Sequence, residues 1–373
     1  PITDQPITEK SGTAIGRYKL LEQIGEGGFG VVFMAEQEEP VRRKVALKII
    51  KPGMDTREVI ARFEAERQAL AIMDHPNIAH VFDAGATEQG RPYFVMEYVR
   101  GSPITQFADE HRLGIRERLK IFIKVCGGVQ HAHQKAIIHR DLKPSNILVS
   151  LHGGEPTPKI IDFGLAKAIG PPLTDDTTIT QLGQRIGTPD YMSPEQAGAV
   201  DVDVDTRSDV YSFGVVLYEL LTGSVPHDVE SRSTPRRRLD ALRQQIEGAD
   251  PTRPSSRIRS LADGDAARVR RATSPTALAR RLERDLDWIT MKALERDRER
   301  RYETANALAV DIRRHLANEP VMAGPPSITY RARKFVRRHR FAVAFAGLIL
   351  LMLSVFAVRE SLHARQLAIE RDT

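Results

Sequence analysis

Aspartate, lysine and asparagine are packed into one short string, His139-Arg140-Asp141-Leu142-Lys143-Pro144-Ser145-Asn146, and Asp162-Phe163-Gly164 follows it. Together they offer a base and two oxygen ligands for a metal at a spacing that phosphoryl transfer requires. Taken singly, each residue has an ordinary reading, because a buried Asp or His is most often a satisfied structural residue. The length and fixed order of the string set it apart from that reading.

Other elements must hold these groups in place. Residues 18–98 read mostly as strands, with apolar runs at 31–33, 45–50, 81–82 and 94–96. One helix is expected among them: over 57–73, Ile60, Phe63, Leu70 and Met73 recur near helical spacing, and His75-Pro76 ends it. From 115 to 316 helical patterns dominate, broken by the catalytic segments and the polar stretch 170–188. The change from strand to helix places a boundary between two lobes near 99–102. Gly25-Glu26-Gly27-Gly28-Phe29-Gly30 stands just before Val32, and glycines without a Cβ let backbone amides approach phosphates. A dinucleotide-binding loop has the same glycines but opens a helix. Here Val31 to Met34 and then Val45-Ala46-Leu47-Lys48 continue as strands, so the loop caps a hairpin.

These motifs together resemble the eukaryotic-like serine/threonine protein kinases of bacteria (the Hanks type), and among them the membrane-anchored receptor kinases. The resemblance covers residues 18 to about 316 and implies an α+β, two-lobed fold, with an antiparallel small lobe carrying one key helix and a larger helical lobe. It implies that Asp141 takes the proton of a protein Ser or Thr hydroxyl, that Lys143 neutralises charge on the moving phosphate, and that Asn146 and Asp162 hold Mg2+, with Mn2+ as a substitute. Lys48 would hold the α- and β-phosphates of ATP and pair with a glutamate on the neighbouring helix. Of Glu58, Glu64 and Glu66, we select Glu66, which stands on the inward apolar face where a lone carboxylate needs a partner. The nucleotide would lie among Ile24, Gly25, Gly27, Gly28, Gly30, Val32, Ala46 and Met96, with the backbone of Glu97 and Val99 meeting adenine. Thr188 and Glu195 belong to a segment similar to the one that docks substrate, although Ser193 replaces its usual alanine. Glu195 is expected to pair with Arg301, and Asp209 to brace the catalytic loop. Arg140 would receive a phosphothreonine, with Thr180 as the main autophosphorylation site and Thr178 as the second.

Length and charge add a second layer. With 373 residues the chain can hold a two-lobed unit with appendages, and its one cysteine, Cys126, lies in an apolar stretch where packing explains it. Much of the net charge of +6 sits in residues 331–340, directly before the uncharged apolar run 341–358. At about 1.5 Å per residue such a run crosses most of a bilayer core of about 30 Å. Arg331, Arg333, Lys334, Arg337, Arg338 and Arg340 precede it and Arg359 and Arg365 follow, so the positive-inside rule puts the N-terminal side in the cytoplasm. The expected organisation is a flexible leader (1–17), a kinase domain (18–317, with small lobe 18–98, hinge 97–102 and large lobe 103–317), a basic juxtamembrane segment (318–340), one span of the inner membrane (341–358) and the start of an extracytoplasmic region (359–373). Since Pro1 comes first, the chain is expected to be a piece of something longer.

The arginine-rich stretch 228–276 holds no aromatic residue, so single-stranded nucleic acid would find no stacking platform there. It reads as a solvated insertion, and no nucleic-acid partner is expected. Pairing of two small lobes into a homodimer suits a single-span receptor, although no residue specifies it. A competing class keeps the fold and drops the chemistry, leaving a nucleotide-binding membrane scaffold. Such chains usually lack one of the residues that stand here as Lys48, Asp141 and Asp162. A transporter or channel subunit would need more spans than one, or an obligate oligomer.

Overall fold

The structure is a computed structural model that describes residues 9–27, 30–51, 72–163, 189–198, 204–227, 235–248, 250–260 and 274–371, without the side chains of 235–236 and 361–371. The small lobe is a six-stranded antiparallel sheet: β1 (Ala14–Ile15), β2 (Tyr18–Glu26), β3 (Gly30–Gln37), β4 (Arg43–Ile50), β5 (Val81–Ala86) and β6 (Pro92–Glu97), in the order β1-β2-β3-β4-β6-β5. Strand alternation sorts its side chains onto two faces. Val31, Phe33, Val45, Leu47, Ile49 and Val95 form a core of the lobe's own, whereas Ala46, Phe94 and Met96 join the core that continues into the large lobe. Within the expected leader 1–17, the described residues 9–17 are not free. Ala14–Ile15 adds a strand to β2, Ile15 is buried, and Glu9 pairs with Arg91 at 2.7 Å.

A short strand, β7 (Ser102–Pro103), follows the crossover between lobes and pairs with β8 (Ile147–His152), which pairs in turn with β9 (Glu155–Ile160). The hairpin of β8 and β9 interrupts a region read as helical. Its signal is Gly153-Gly154 after the apolar run Ile147-Leu148-Val149, where both glycines take the positive φ that a tight hairpin turn demands. The large lobe is otherwise helical: α1 (Ile104–Glu110), α2 (Ile115–Gln134), α3 (Pro194–Ala197), α4 (Thr206–Thr222), α5 (Pro235–Gly248), α6 (Pro254–Ser260), α7 (Pro275–Leu282), α8 (Asp285–Ala293) and α9 (Ala305–Leu316). Helices α2 and α4 carry the core, with Phe122 edge-on to Phe213 at 5.3 Å and both fully buried.

One expectation about the C-terminal half changes. The arginine-rich stretch is not a solvated insertion throughout. Helix α5 buries Leu239, Leu242 and Ile246 against Met192 and Ala197, and α6 ties in through Ser255, whose hydroxyl donates to Asp287 at 2.6 Å. The basic segment after α9 is a helix, α10 (Ile328–Arg338), docked on the large lobe. Beyond it runs α11 (Arg340–Arg371), whose stretch Arg340–Glu360, 21 residues, is long and apolar enough to cross a bilayer and is not buried by the rest of the chain.

Candidate active site

The hairpin of β2 and β3 places the glycine loop over the cleft. Gly27 donates its amide to the Gly30 carbonyl at 2.9 Å, and a Cβ at Gly30 would run into the backbone carbonyl of Ile49. Glycine at position 30 is therefore required by packing of the sheet. Gly28 lies outside the described residues. Register pairs Val32 with Lys48 and Lys48 with Phe94, and Ala46 with Met96, so Val32, Ala46, Lys48 and Met96 line one face of the sheet, turned toward the large lobe. Ile24 falls at a break in the register of β2 and is 42% exposed, above that face.

Lys48 is buried, and its ammonium reaches the carboxylate of Asp162. Glu66, proposed as its partner, lies outside the described residues. At the crossover, the amide of Glu97 is already taken by the His80 carbonyl at 2.8 Å, and its carboxylate by Lys159 at 2.7 Å. Of its backbone groups, only the carbonyl is left to meet a base, a restriction that sequence reasoning did not foresee.

On the large-lobe side, Lys143 Nζ lies 2.8 Å from Asp141 Oδ2. Asn146 Nδ2 donates to the backbone carbonyl of Asp141 at 2.8 Å and to its carboxylate at 3.1 Å, which fixes which end of the amide carries the free oxygen. Ile161 donates its amide to the Asn146 carbonyl at 2.9 Å, and Ile160 to that of Asn77 at 2.9 Å, so the end of β9, two residues before Asp162, is stitched to the catalytic loop and to the segment that follows His75-Pro76. Among the described residues no group of three or more His, Cys, Asp or Glu could hold a metal by itself. One carboxylate and one amide oxygen fit a cation that takes its remaining ligands from phosphates and water, as Mg2+ does, better than a protein-only cage.

The loop is braced from beneath by Asp209, which α4 carries and which is almost wholly buried. Its carboxylate accepts from the amides of His139 at 2.8 Å and Arg140 at 2.9 Å and from His133 Nε2 at 2.7 Å. Burial opposes its ionisation, but the hydrogen bond from His133 and the neighbouring histidines outweigh burial and hold its pKa below the usual range. His139 is fully buried, and burial pushes its pKa down. Its bonds agree with a neutral ring: Nδ1 accepts from the Asp141 amide at 3.3 Å, leaving Nε2 to donate to the Ile161 carbonyl at 3.2 Å. His139 is a brace, and no proton transfer is required of it. Arg140 and Asp162 take φ of 61° and 58°, a left-handed backbone that costs about 1–3 kcal/mol in a residue other than glycine. The Asp209 bonds hold the first, and the Lys48 contact the second.

Glu195 and Arg301 meet in a bidentate pair at 2.7 and 2.8 Å. Arg301 also donates to the carbonyls of Glu295, Arg207 and Arg296, so its guanidinium is fully engaged although buried. Burial opposes ionisation of Glu195, yet the bonds and charge of Arg301 keep its pKa lowered. Gln196, which the sequence reading missed, links this element to the catalytic loop by donating to the Arg140 carbonyl at 2.8 Å. Its signal was the reciprocal cap formed by Ser193 and Gln196 at the start of α3. Thr178, Thr180 and Thr188 lie outside the described residues.

A family model described as the protein kinase domain matches residues 18–311. The chain belongs to the protein kinase family. This kinase is similar to serine/threonine-protein kinase PrkC of Bacillus subtilis, 35% identical over 80% of this chain and 40% of that one, and to serine/threonine-protein kinase PknB of Mycobacterium leprae, 34% identical over 82% and 44%. It thus spans less than half the length of the curated relatives it matches. In fold it is similar to the crystal structure of the PknI kinase domain of Mycobacterium tuberculosis, with a TM-score of 0.57 and 24% identity over 83% of this chain and all of that one.

Proposed function

We propose that this kinase transfers the γ-phosphoryl group of ATP to serine or threonine hydroxyls of protein substrates, from the cytoplasmic face of a membrane that residues 341–358 cross. The observation that carries this reading is the grouping of Asp141 with Lys143 and Asn146 on the large-lobe side of the cleft, with Lys48 reaching from the small lobe to Asp162.

Asp141 accepts the hydroxyl proton as the oxygen attacks phosphorus, and the bond from phosphorus to the bridging oxygen of ADP breaks. Lys143 sits beside Asp141, where its charge meets the equatorial oxygens of the moving phosphoryl group. Lys48, with three donors on a compact ammonium, can hold Asp162 and still offer donors to phosphate oxygens. Mg2+ held by Asp162 and the Asn146 amide oxygen would neutralise charge on the phosphates. Single-span anchoring rests on the charge asymmetry around 341–358, and Thr180, with Thr178 after it, is the proposed site of autophosphorylation, which Arg140 would receive.

The test is phosphate transfer from labelled ATP to a generic basic protein, comparing the wild type with Asp141→Asn and Lys48→Met. Loss of the base should slow turnover about 10²–10⁴-fold. Equal incorporation by all three would remove this cleft as the catalyst.

A further inference from the structure

At the junction of the large lobe with α10 lies a cavity of about 990 Å³, walled by the start of α2, the turn between α7 and α8, the end of α9, and α10. Its lining carries seven Lys and Arg side chains against three carboxylates. Two of those carboxylates are already engaged. Glu283 pairs with Arg259 at 3.0 Å, and Asp285 accepts from Tyr330 at 2.9 Å and from Lys334 and His315. Arg280, Arg281 and Arg284 on the lobe and Arg333 and Arg337 on α10 have no ion-pair partner among the described residues, although they share this one space. Glu117 is the remaining carboxylate of the lining, so five arginines share at most one counter-charge, and a multivalent anion relieves their mutual repulsion.

The place of the cavity points to the source of the anion. Residues 330, 333, 334 and 337 face the cavity, and Ile328, Ala332, Phe335 and Val336 on the opposite side of α10 are exposed. A helix with an apolar outer face and arginines at its edges lies in the boundary of a bilayer, and α11 enters its apolar stretch two residues further on. We infer that this cavity binds the phosphate headgroup of an anionic membrane lipid, held between arginines of the lobe and arginines of α10. The lipid would thereby join the catalytic lobe to the membrane surface. Simple attraction of a basic tail to a charged surface would involve residues 331–340 alone. The cavity recruits Arg281 and Arg284, some fifty positions earlier in the chain.

The inference rests on the reading of 341–358 as a span, and two measurements separate them. Carbonate extraction of membranes carrying the full chain tests the span, which fails if the protein is released. For the cavity, the full chain in detergent micelles is titrated with phosphatidylglycerol, phosphatidylcholine or soluble glycerol phosphate, and bound lipid is counted by native mass spectrometry. Phosphatidylglycerol should bind at least about tenfold more tightly than phosphatidylcholine, by paired charge-assisted bonds. Arg281→Gln with Arg284→Gln, and separately Arg333→Gln with Arg337→Gln, should each abolish that preference, while Arg331→Gln, outside the cavity, should keep it. All these side chains are exposed and remote from the cleft, so turnover serves as the folding control. A preference that survives Arg281→Gln with Arg284→Gln overturns the cavity. Glycerol phosphate binding as tightly as the lipid overturns the membrane source.

Discussion

Two buried aspartates organise the two ends of this kinase in the same physical way. Asp209 gathers two backbone amides and a histidine beneath the catalytic loop; Asp285 gathers the Tyr330 hydroxyl, Lys334 and His315 at the junction with α10. Each is a buried charge made tolerable by three donors. They differ in what they hold. Asp209 fixes main chain, and with it the left-handed backbone of Arg140 and the setting of Asp141. Asp285 fixes side chains, Tyr330 and Lys334 of α10 and His315 of α9, so its loss frees α10 without altering the active site.

The comparison breaks most visibly at Asp209. Asp209→Ala leaves two buried amides and His133 without their acceptor and should cost about 3–5 kcal/mol of stability, with phosphate transfer falling along with it. Urea unfolding and the labelled-ATP assay read both effects. A variant that unfolds like wild type and retains turnover would deny that the loop depends on this brace.

Asp285→Asn should cost about 2 kcal/mol, because its bonds hold the carboxyl at a pKa of about 2, against an unfolded value near 3.9. A depressed folded pKa gives stability that is complete above the unfolded value and is lost as pH falls through the folded one. The wild type should therefore lose this contribution between about pH 4 and pH 2, and the variant should show a flatter profile there. Trp288, the one tryptophan of the chain, meets Tyr330 edge-on at 5.4 Å, so its emission reports whether α10 is docked. Unchanged emission and stability in Asp285→Asn would refute the anchoring role.

Tyr330→Phe removes a hydroxyl that donates to Asp285 and accepts from the Val321 amide at 3.1 Å, for about 1 kcal/mol. Combined with Asp285→Asn, it should cost less than the sum of the single changes, since the two residues share one network. Strict additivity would separate them. The smallest effect belongs to Arg338→Ala: its pair with Glu319 spans 3.0 Å but is almost half exposed on both sides, and its loss should stay within about 0.5 kcal/mol.

Strands of the small lobe were legible because alternation writes the two faces of a sheet into consecutive residues. Asp141, Lys143, Asn146 and Asp162 were legible because two short segments, the loop before β8 and the residues just after β9, carry them. The hairpin of β8 and β9 escaped notice beside longer helical patterns, although Gly153-Gly154 marked its turn. In 228–276 charge concealed a three-residue apolar stripe, Leu239, Leu242 and Ile246, whose spacing was helical all along.

Types and order of the candidate reacting groups, and an apolar segment long enough to cross a bilayer, follow from the chain alone, since each depends on neighbours along the sequence. Which donors reach Asp209 and Asp285, how Gln196 ties α3 to the catalytic loop, and that arginines fifty residues apart share one cavity were decided only by the tertiary structure. The physical reason is that hydrogen bonds and ion pairs act over a few ångströms of space, and only folding brings such distant positions within that reach.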